Sequence, residues 1–149
     1  MTATAQFLAN PLGVTLGPDT IALRLAQETG WEERYKSVLA LAREIPKIDS
    51  SDQIEANLLH GCQAKVWVIH HFDEATGKLY FLCDSDARIV KGLLACLLAH
   101  FNGQSPAAIL KTDARPWLRD VGLLSHLASG RSNGLWAMIG KVKAVASRY

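Results

Sequence analysis

Cysteine is scarce in this chain of 149 residues, which contains three in no C-x-x-C pair. An odd number of cysteines at irregular spacing predicts neither a disulfide framework nor a zinc site. The chain also lacks any apolar run that approaches the ~18 residues of a membrane span. Its first residues lack the basic start and apolar core of a secretory signal. We therefore expect a protein of the reducing cytoplasm whose cysteines are free thiols.

Signatures of nucleic-acid, nucleotide and metal binding are absent as well. The net charge of +2 is small and dispersed, so it does not indicate a nucleic-acid partner. The sequence contains no glycine-rich phosphate loop and no H-x-x-x-H pair, so we expect no metal site. With half of its residues apolar, the chain is typical of an ordinary globular protein.

The apolar pattern predicts an α+β fold. Apolar residues recur every three or four positions over Trp31–Ile45, which predicts an amphipathic helix. The β-rich runs Val66–Phe72 and Leu79–Leu82 flank a turn-like spacer and predict an antiparallel hairpin. The run Ile89–Phe101 is apolar nearly all round and predicts a central buried helix. Further helices are predicted over Pro18–Glu28, over Ser105–Leu110, after Arg115 and from Ser132 onward.

The length of the chain predicts a single domain over residues 1–149, because about 150 residues are typical of a domain built around one hydrophobic core. Helices precede and follow the strands, so the class is α+β, with a small antiparallel sheet packed against several helices. Residues 1–17 are expected to form a flexible or loosely packed arm.

The three cysteines have different surroundings. Cys96 lies within the apolar helix and Cys83 ends the second strand, so both are expected to be structural. Cys62 follows Gly61, which frees the backbone to turn, and Lys65 could lower the pKa of its thiol. The residues alone leave a reactive and a structural role for Cys62 equally open.

Two charged segments also have open interpretations. The acidic turn Asp84-Ser85-Asp86 stands where a strand gives way to a helix, and its side chains are expected to cap that helix. The alternative is that the turn pairs with a basic residue near the thiol. Arg131 is either a solvated loop charge or a site residue.

Taken together, these segments resemble the SufE family of sulfur acceptors that work with cysteine desulfurases. The matching motifs are Gly61-Cys62-Gln63 followed by Val66-Trp67, then Asp84–Leu93, Gly122-Leu123 and Arg131–Leu135. They come in the order and spacing of the family and span roughly residues 31 to 145. The N-terminal segment is similar to the CsdE-like subgroup. Ala64 and Gly130 stand where family members often have serine.

The resemblance implies that Cys62 accepts sulfane sulfur, as a persulfide, from a partner cysteine desulfurase, which the protein also stimulates. The chain would be a sulfur carrier rather than an independent enzyme. It would need no cofactor of its own, since pyridoxal phosphate belongs to the partner. The sulfur would pass to an iron–sulfur cluster assembly complex or to a tRNA-modification enzyme, with no nucleic-acid or membrane partner.

The resemblance further implies a mobile thiol loop. Gly61, Gln63, Asp84, Asp86 and Arg131 would support the loop and its pocket, with Asp86 and Arg131 holding its resting position. The loop would move between a sheltered place near Trp67 and Leu93 and an extended one. The alternative function is an iron–sulfur cluster scaffold that ligates the cluster through Cys62, Cys83 and Cys96.

Overall fold

The protein is described by a computed structural model that covers residues 7–28, 30–61, 64–123 and 129–149, with side chains from Ser132 onward in the last range. This part contains six α-helices and one antiparallel pair of strands, so the predicted α+β class is confirmed. No helix in the described ranges is long and apolar enough to cross a membrane. The elements are α1 (Pro18–Ala26), α2 (Trp31–Glu44), β1 (Val66–Asp73), β2 (Lys78–Ser85), α3 (Arg88–Leu98), α4 (Pro106–Lys111), α5 (Arg115–Asp120) and α6 (Ser129–Ala146), with short 3-10 helices at Ser50–Asp52 and Glu55–Asn57.

The predicted hairpin is present as β1 and β2, which pair from Val66 opposite Ser85 to Asp73 opposite Lys78. The turn is closed by the Gly77 N–H, which donates to the Asp73 carbonyl at 2.8 Å. Gly77 has a φ of 69°, a left-handed conformation that glycine adopts at little cost. This register sets which residues face each other at the open end of the hairpin, where the site is built.

The apolar run forms α3, and every residue of Lys91–Leu98 is buried, as the sequence predicts for a central helix. The helix packs closely on α2. A Cβ added to Gly92 would lie only 2.3 Å from the Val38 carbonyl oxygen, so this position needs a residue without a side chain. The glycine in the middle of the apolar run therefore sets the approach of the two helices.

Residues 7–17 do not form a loosely packed arm, and that expectation is wrong for this range. Leu12 and Leu16 are buried in the main core. The buried Asn10 side chain donates to the Phe81 carbonyl at 2.9 Å, and the Asn102 side chain donates to the Leu12 carbonyl at 2.7 Å. The two amides supply hydrogen bonds that the irregular backbone would otherwise lack, and they join the segment to β2. Residues 1–6 lie outside the described part.

The final helix begins earlier than the sequence predicts. The pattern places its start at Ser132, whereas α6 begins at Ser129. Its buried positions pack into the main core and include Leu135, Met138 and Val142. Other positions of α6 lie nearer the surface. Ala137 borders Gly61, and Trp136 lines a groove between α4 and α6.

Candidate functional site

The thiol loop, residues 60–65, connects a 3-10 helix to β1 and is closed at its base. The Leu59 N–H donates to the Val66 carbonyl at 2.8 Å, and Leu58 forms an antiparallel bridge with Trp67. These contacts hold the two ends of the loop together as in a hairpin. Cys62 and Gln63, both predicted site residues, lie outside the described residues. Their neighbours His60 and Gly61 are exposed.

Gly61 shapes the beginning of this loop. Its φ of 100° lies in the region that favours glycine, since a Cβ would crowd the backbone there. A Cβ added at this position would lie 3.3 Å from the Cβ of Ala137, which places the loop against α6. The absence of a side chain at Gly61 thus allows both the left-handed backbone conformation of the turn and the close contact with α6.

The acidic turn anchors the other end of the loop, and its two carboxylates accept hydrogen bonds from backbone N–H groups outside α3. The capping prediction is therefore wrong for Asp84 and Asp86 and is borne out only by Ser85. The carboxylate of Asp86 accepts a hydrogen bond from the Lys65 N–H at 3.1 Å. The Ser85 hydroxyl donates to the Lys65 carbonyl at 2.7 Å. The N-cap residue of α3 is Ala87, whose own side chain makes no capping bond, and the Ser85 hydroxyl accepts a hydrogen bond from the Ala87 N–H at 3.1 Å. Because Val66 pairs with Ser85, the hairpin register places Lys65 opposite Asp86.

The alternative interpretation, in which the acidic turn pairs with a basic residue near the thiol, agrees better with the structure. Asp86 does bind the segment that follows the thiol, but its partner is the backbone N–H of Lys65 rather than a basic side chain. A hydrogen bond to an ionised carboxylate is stronger than one between neutral groups. Asp86 and Ser85 together fix the point at which the thiol loop meets β1.

Asp84 has a different environment, because its side chain is buried. Its carboxylate accepts a hydrogen bond from the Ile48 N–H at 3.1 Å and lies 3.3 Å from the ammonium of Lys91. The same ammonium donates to the Ile45 carbonyl at 3.1 Å. This buried pair joins β2, α3 and the chain after α2, and so supports the strand end that carries Asp86.

Sequence reasoning did not identify the role of Lys91, although a signal was present. A lysine within a run as apolar as α3 is buried only when its charge is compensated. The nearby acidic turn offered a carboxylate as partner. Ala137, which borders Gly61, carried no comparable signal, since its role arises from a contact between distant parts of the chain.

Arg131 lies in the first turn of α6, so its backbone belongs to the helix whose later residues meet Gly61. The position of its side chain lies outside the described residues, and its predicted role stays a prediction. The surrounding sequence Gly130-Arg131-Ser132-Asn133-Gly134 matches the G-x-S-x-G pattern of hydrolases. That pattern requires a strand-to-helix turn, whereas here all five residues are helical.

The other two thiols are buried, which agrees with the structural role expected of both. Cys83 on β2 and Cys96 on α3 have no exposed surface, and burial raises the pKa of each thiol to about 12. A thiolate is the form that reacts and binds metals, so neither side chain is ready for such chemistry in this fold. The described residues contain no group of three or more His, Cys, Asp or Glu side chains that could hold a metal ion.

These pKa values predict that Cys83 and Cys96 resist alkylation in the folded protein. With a pKa of about 12, only about one thiol in ten thousand is ionised at pH 8, and the reactive fraction rises tenfold per pH unit. Mass mapping after iodoacetamide treatment should find both residues unmodified in buffer and modified in urea. Rapid labelling of either thiol at pH 8 without denaturant would contradict their burial.

Two comparisons with known proteins place the chain. The family model described as "SufE: Fe-S metabolism associated domain" matches residues 19–146. The chain belongs to the SufE family. The fold of this SufE-family protein is similar to the solution structure of a hypothetical protein from Thermus thermophilus, with a TM-score of 0.69 and 22% sequence identity. That match covers 94% of this chain and 96% of the other. The predicted family is confirmed, together with its association with iron–sulfur metabolism.

Proposed function

We propose that this SufE-family protein carries sulfane sulfur as a persulfide on Cys62. A cysteine desulfurase would supply the sulfur and be stimulated by the carrier. An iron–sulfur cluster assembly complex or another sulfur-using enzyme, such as one that modifies tRNA, would receive it. The supporting observation is that Gly61, directly before Cys62, is exposed and that the Lys65 backbone after it is anchored by Asp86, while the other two thiols are buried.

The proposed transfer requires little from the carrier. The Cys62 thiolate attacks the outer sulfur of the donor's persulfide, and the donor's own thiolate leaves with the electron pair of the broken S–S bond. The product is a persulfide on Cys62, with no net oxidation or reduction. The partner's pyridoxal phosphate performs the cleavage of the cysteine C–S bond. Cys62 therefore needs reach and a deprotonated thiol, and no acid–base pair of its own.

We further propose that the protein acts in the cytoplasm, belongs to the CsdE-like subgroup, and holds no cofactor of its own. The alternative role, a cluster scaffold, requires Cys83 and Cys96 as ligands. Both would have to leave the core and lose protons from thiols whose pKa is about 12. Their burial favours the carrier over the scaffold.

The direct test is mass spectrometry after incubation of the protein with a cysteine desulfurase and cysteine. We expect the intact protein to gain the mass of one sulfur atom, removable by a reducing agent, on the peptide that contains Cys62. Sulfur found on the Cys83 or Cys96 peptide would contradict the proposal. The proposal would also be contradicted if none of the desulfurases tested loaded sulfur onto the wild-type protein.

The anchoring contact of Asp86 predicts a second effect. Replacing Asp86 by arginine removes the acceptor of the Lys65 N–H, a charge-assisted bond of about 1.5–3 kcal/mol. We expect hydrogen exchange at the Lys65 amide to accelerate by about tenfold or more. Desulfurase stimulation should rise, because a larger fraction of molecules would present an extended loop.

A matched control is the same charge reversal at Glu74, an exposed residue in the hairpin turn. Glu74→Arg should change neither Lys65 exchange nor stimulation. If Asp86→Arg behaves like Glu74→Arg in both measurements, then Asp86 does not hold the loop.

A further inference from the structure

A groove between α4 and α6 is a surface feature that the proposed function leaves unused. It is open to solvent and has a volume of about 610 Å³. Leu110 from α4 and Trp136 from α6 both line the groove, yet their side chains are 47% and 38% exposed. Large apolar side chains that share an exposed concave site are typical of protein interaction surfaces.

The position of the groove relates it to the thiol loop. Trp136, Gly140 and Lys143 occupy one face of α6, at the spacing of successive helical turns. The neighbouring face carries Ala137, which borders Gly61. The groove and the thiol loop therefore border neighbouring faces of the same helix. One partner could cover both.

The charges around the groove are mostly positive. Four basic residues border it or the adjoining cavity, against the single carboxylate of Asp113. That carboxylate already pairs with Arg115 at 3.0 Å. The ion pairs found among the described residues include neither Lys111 nor Arg119, and both are exposed. A partner surface with acidic side chains would complement these charges.

The walls of the groove are fixed. The Lys143 ammonium donates to the carbonyls of Ile109 at 2.6 Å and Leu110 at 3.1 Å, and also to that of Thr112. These carbonyls lie at or just beyond the C-terminal end of α4, where the regular hydrogen bonds of the helix end, and the Ile109 carbonyl also accepts from the Thr112 N–H at 3.2 Å. Lys143 thus ties α4 to α6, so the site is formed before any partner binds and costs little ordering on association.

We propose that this groove docks the sulfur donor, through a segment that carries an apolar side chain flanked by acidic residues. The inference rests on the proposed function, in which the carrier stimulates a cysteine desulfurase. A stable protein interface needs about 800 Å² from each partner, more than a six-residue loop can supply. Trp136 and Leu110 provide the additional contact, and the basic residues set its orientation.

Gly140 offers a sharp test, because it lies in the middle of the groove wall and a Cβ added there meets nothing within 4 Å. Replacing glycine within a helix favours helix formation. Gly140→Glu would introduce bulk and repel an acidic segment, whereas Gly140→Lys adds comparable bulk with the opposite charge. Trp136→Ala removes the apolar contact.

The measurement is the concentration of carrier that gives half-maximal stimulation of a desulfurase that loads the wild-type protein. Trp136→Ala and Gly140→Glu should each raise it by about tenfold, and Gly140→Lys by much less. Maximal stimulation and the final sulfur content of Cys62 should stay unchanged at saturation. Leu23→Ala, which truncates a 67% exposed leucine on α1, should change none of these. Circular dichroism would verify that each variant is folded.

Each other outcome overturns a distinct statement. If the wild-type protein is loaded and both groove variants behave like Leu23→Ala, the groove is not the docking site and the sulfur-carrier function stands. If loading is normal but transfer to the acceptor slows, the occupant is the acceptor and not the donor. If no desulfurase loads the wild-type protein, the carrier function fails and the docking inference fails with it.

Discussion

The Cys62→Ser variant is expected to take up no sulfur from a desulfurase, while its fold and thermal stability match those of the wild type. A serine hydroxyl has nearly the size of a thiol but cannot form a persulfide. The loss should therefore be complete rather than partial, with no added sulfur mass at any donor concentration. Intact-protein mass spectrometry after incubation with the desulfurase and cysteine measures this directly.

The other thiols supply the matched control. Cys96→Ala changes a buried residue of α3, and we expect that variant to load one sulfur atom like the wild type. Its stability should fall, because the substitution leaves a small cavity in the core. A Cys62→Ser variant that still gains sulfur, or a Cys96→Ala variant that gains none, would show that the acceptor is not Cys62.

The second large effect concerns stability. Asp84→Ala should lower the free energy of unfolding by about 3–5 kcal/mol, because it leaves the buried Lys91 ammonium without its counter-charge. It also removes the acceptor of the Ile48 N–H, so the chain after α2 loses its tie to β2. Urea unfolding followed by circular dichroism gives the free energy.

Two controls separate the buried charge from general damage. Adding Lys91→Met to Asp84→Ala should recover part of the loss, since the unpaired charge is then gone. Glu44→Ala breaks the exposed pair of Arg24 and Glu44, whose side chains are 44% and 43% accessible, and should cost about 1 kcal/mol or less. If Asp84→Ala costs no more than Glu44→Ala, the pair of Asp84 and Lys91 does not support the strand end.

Much of the fold was predictable because local apolar patterns decide it. The run that forms α3 is apolar on all faces, so only a central position could bury it. The two β-rich runs around a turn with Gly77 indicated the hairpin, which pairs along the full length of both strands. Residues 7–17 were misjudged because two buried asparagines, distant in sequence from their partners, hold that segment in place.

The candidate site was only partly predictable. The motif around Gly61 and Cys62, and the acidic turn, indicated the family and the region of the site. The role of the two carboxylates in the acidic turn was misassigned, because a carboxylate before a helix usually caps it, whereas here the Ser85 hydroxyl accepts the N–H at the start of α3. Asp86 binds Lys65 instead, since the strand register brings that N–H within reach.

The sequence by itself determined the fold class, the family and the expectation that Cys83 and Cys96 are structural thiols. Apolar periodicity and short motifs are local properties of the chain, so they can be read without the structure. The tertiary structure decided what the charged and polar side chains do. Asp84 pairs with Lys91, Asp86 holds the backbone after the thiol, and Trp136 remains exposed beside a basic groove. Such roles depend on which groups, distant in sequence, come into contact once the core has formed. The contribution of a carboxylate or an indole to stability or binding is set by the groups that surround it in the folded protein.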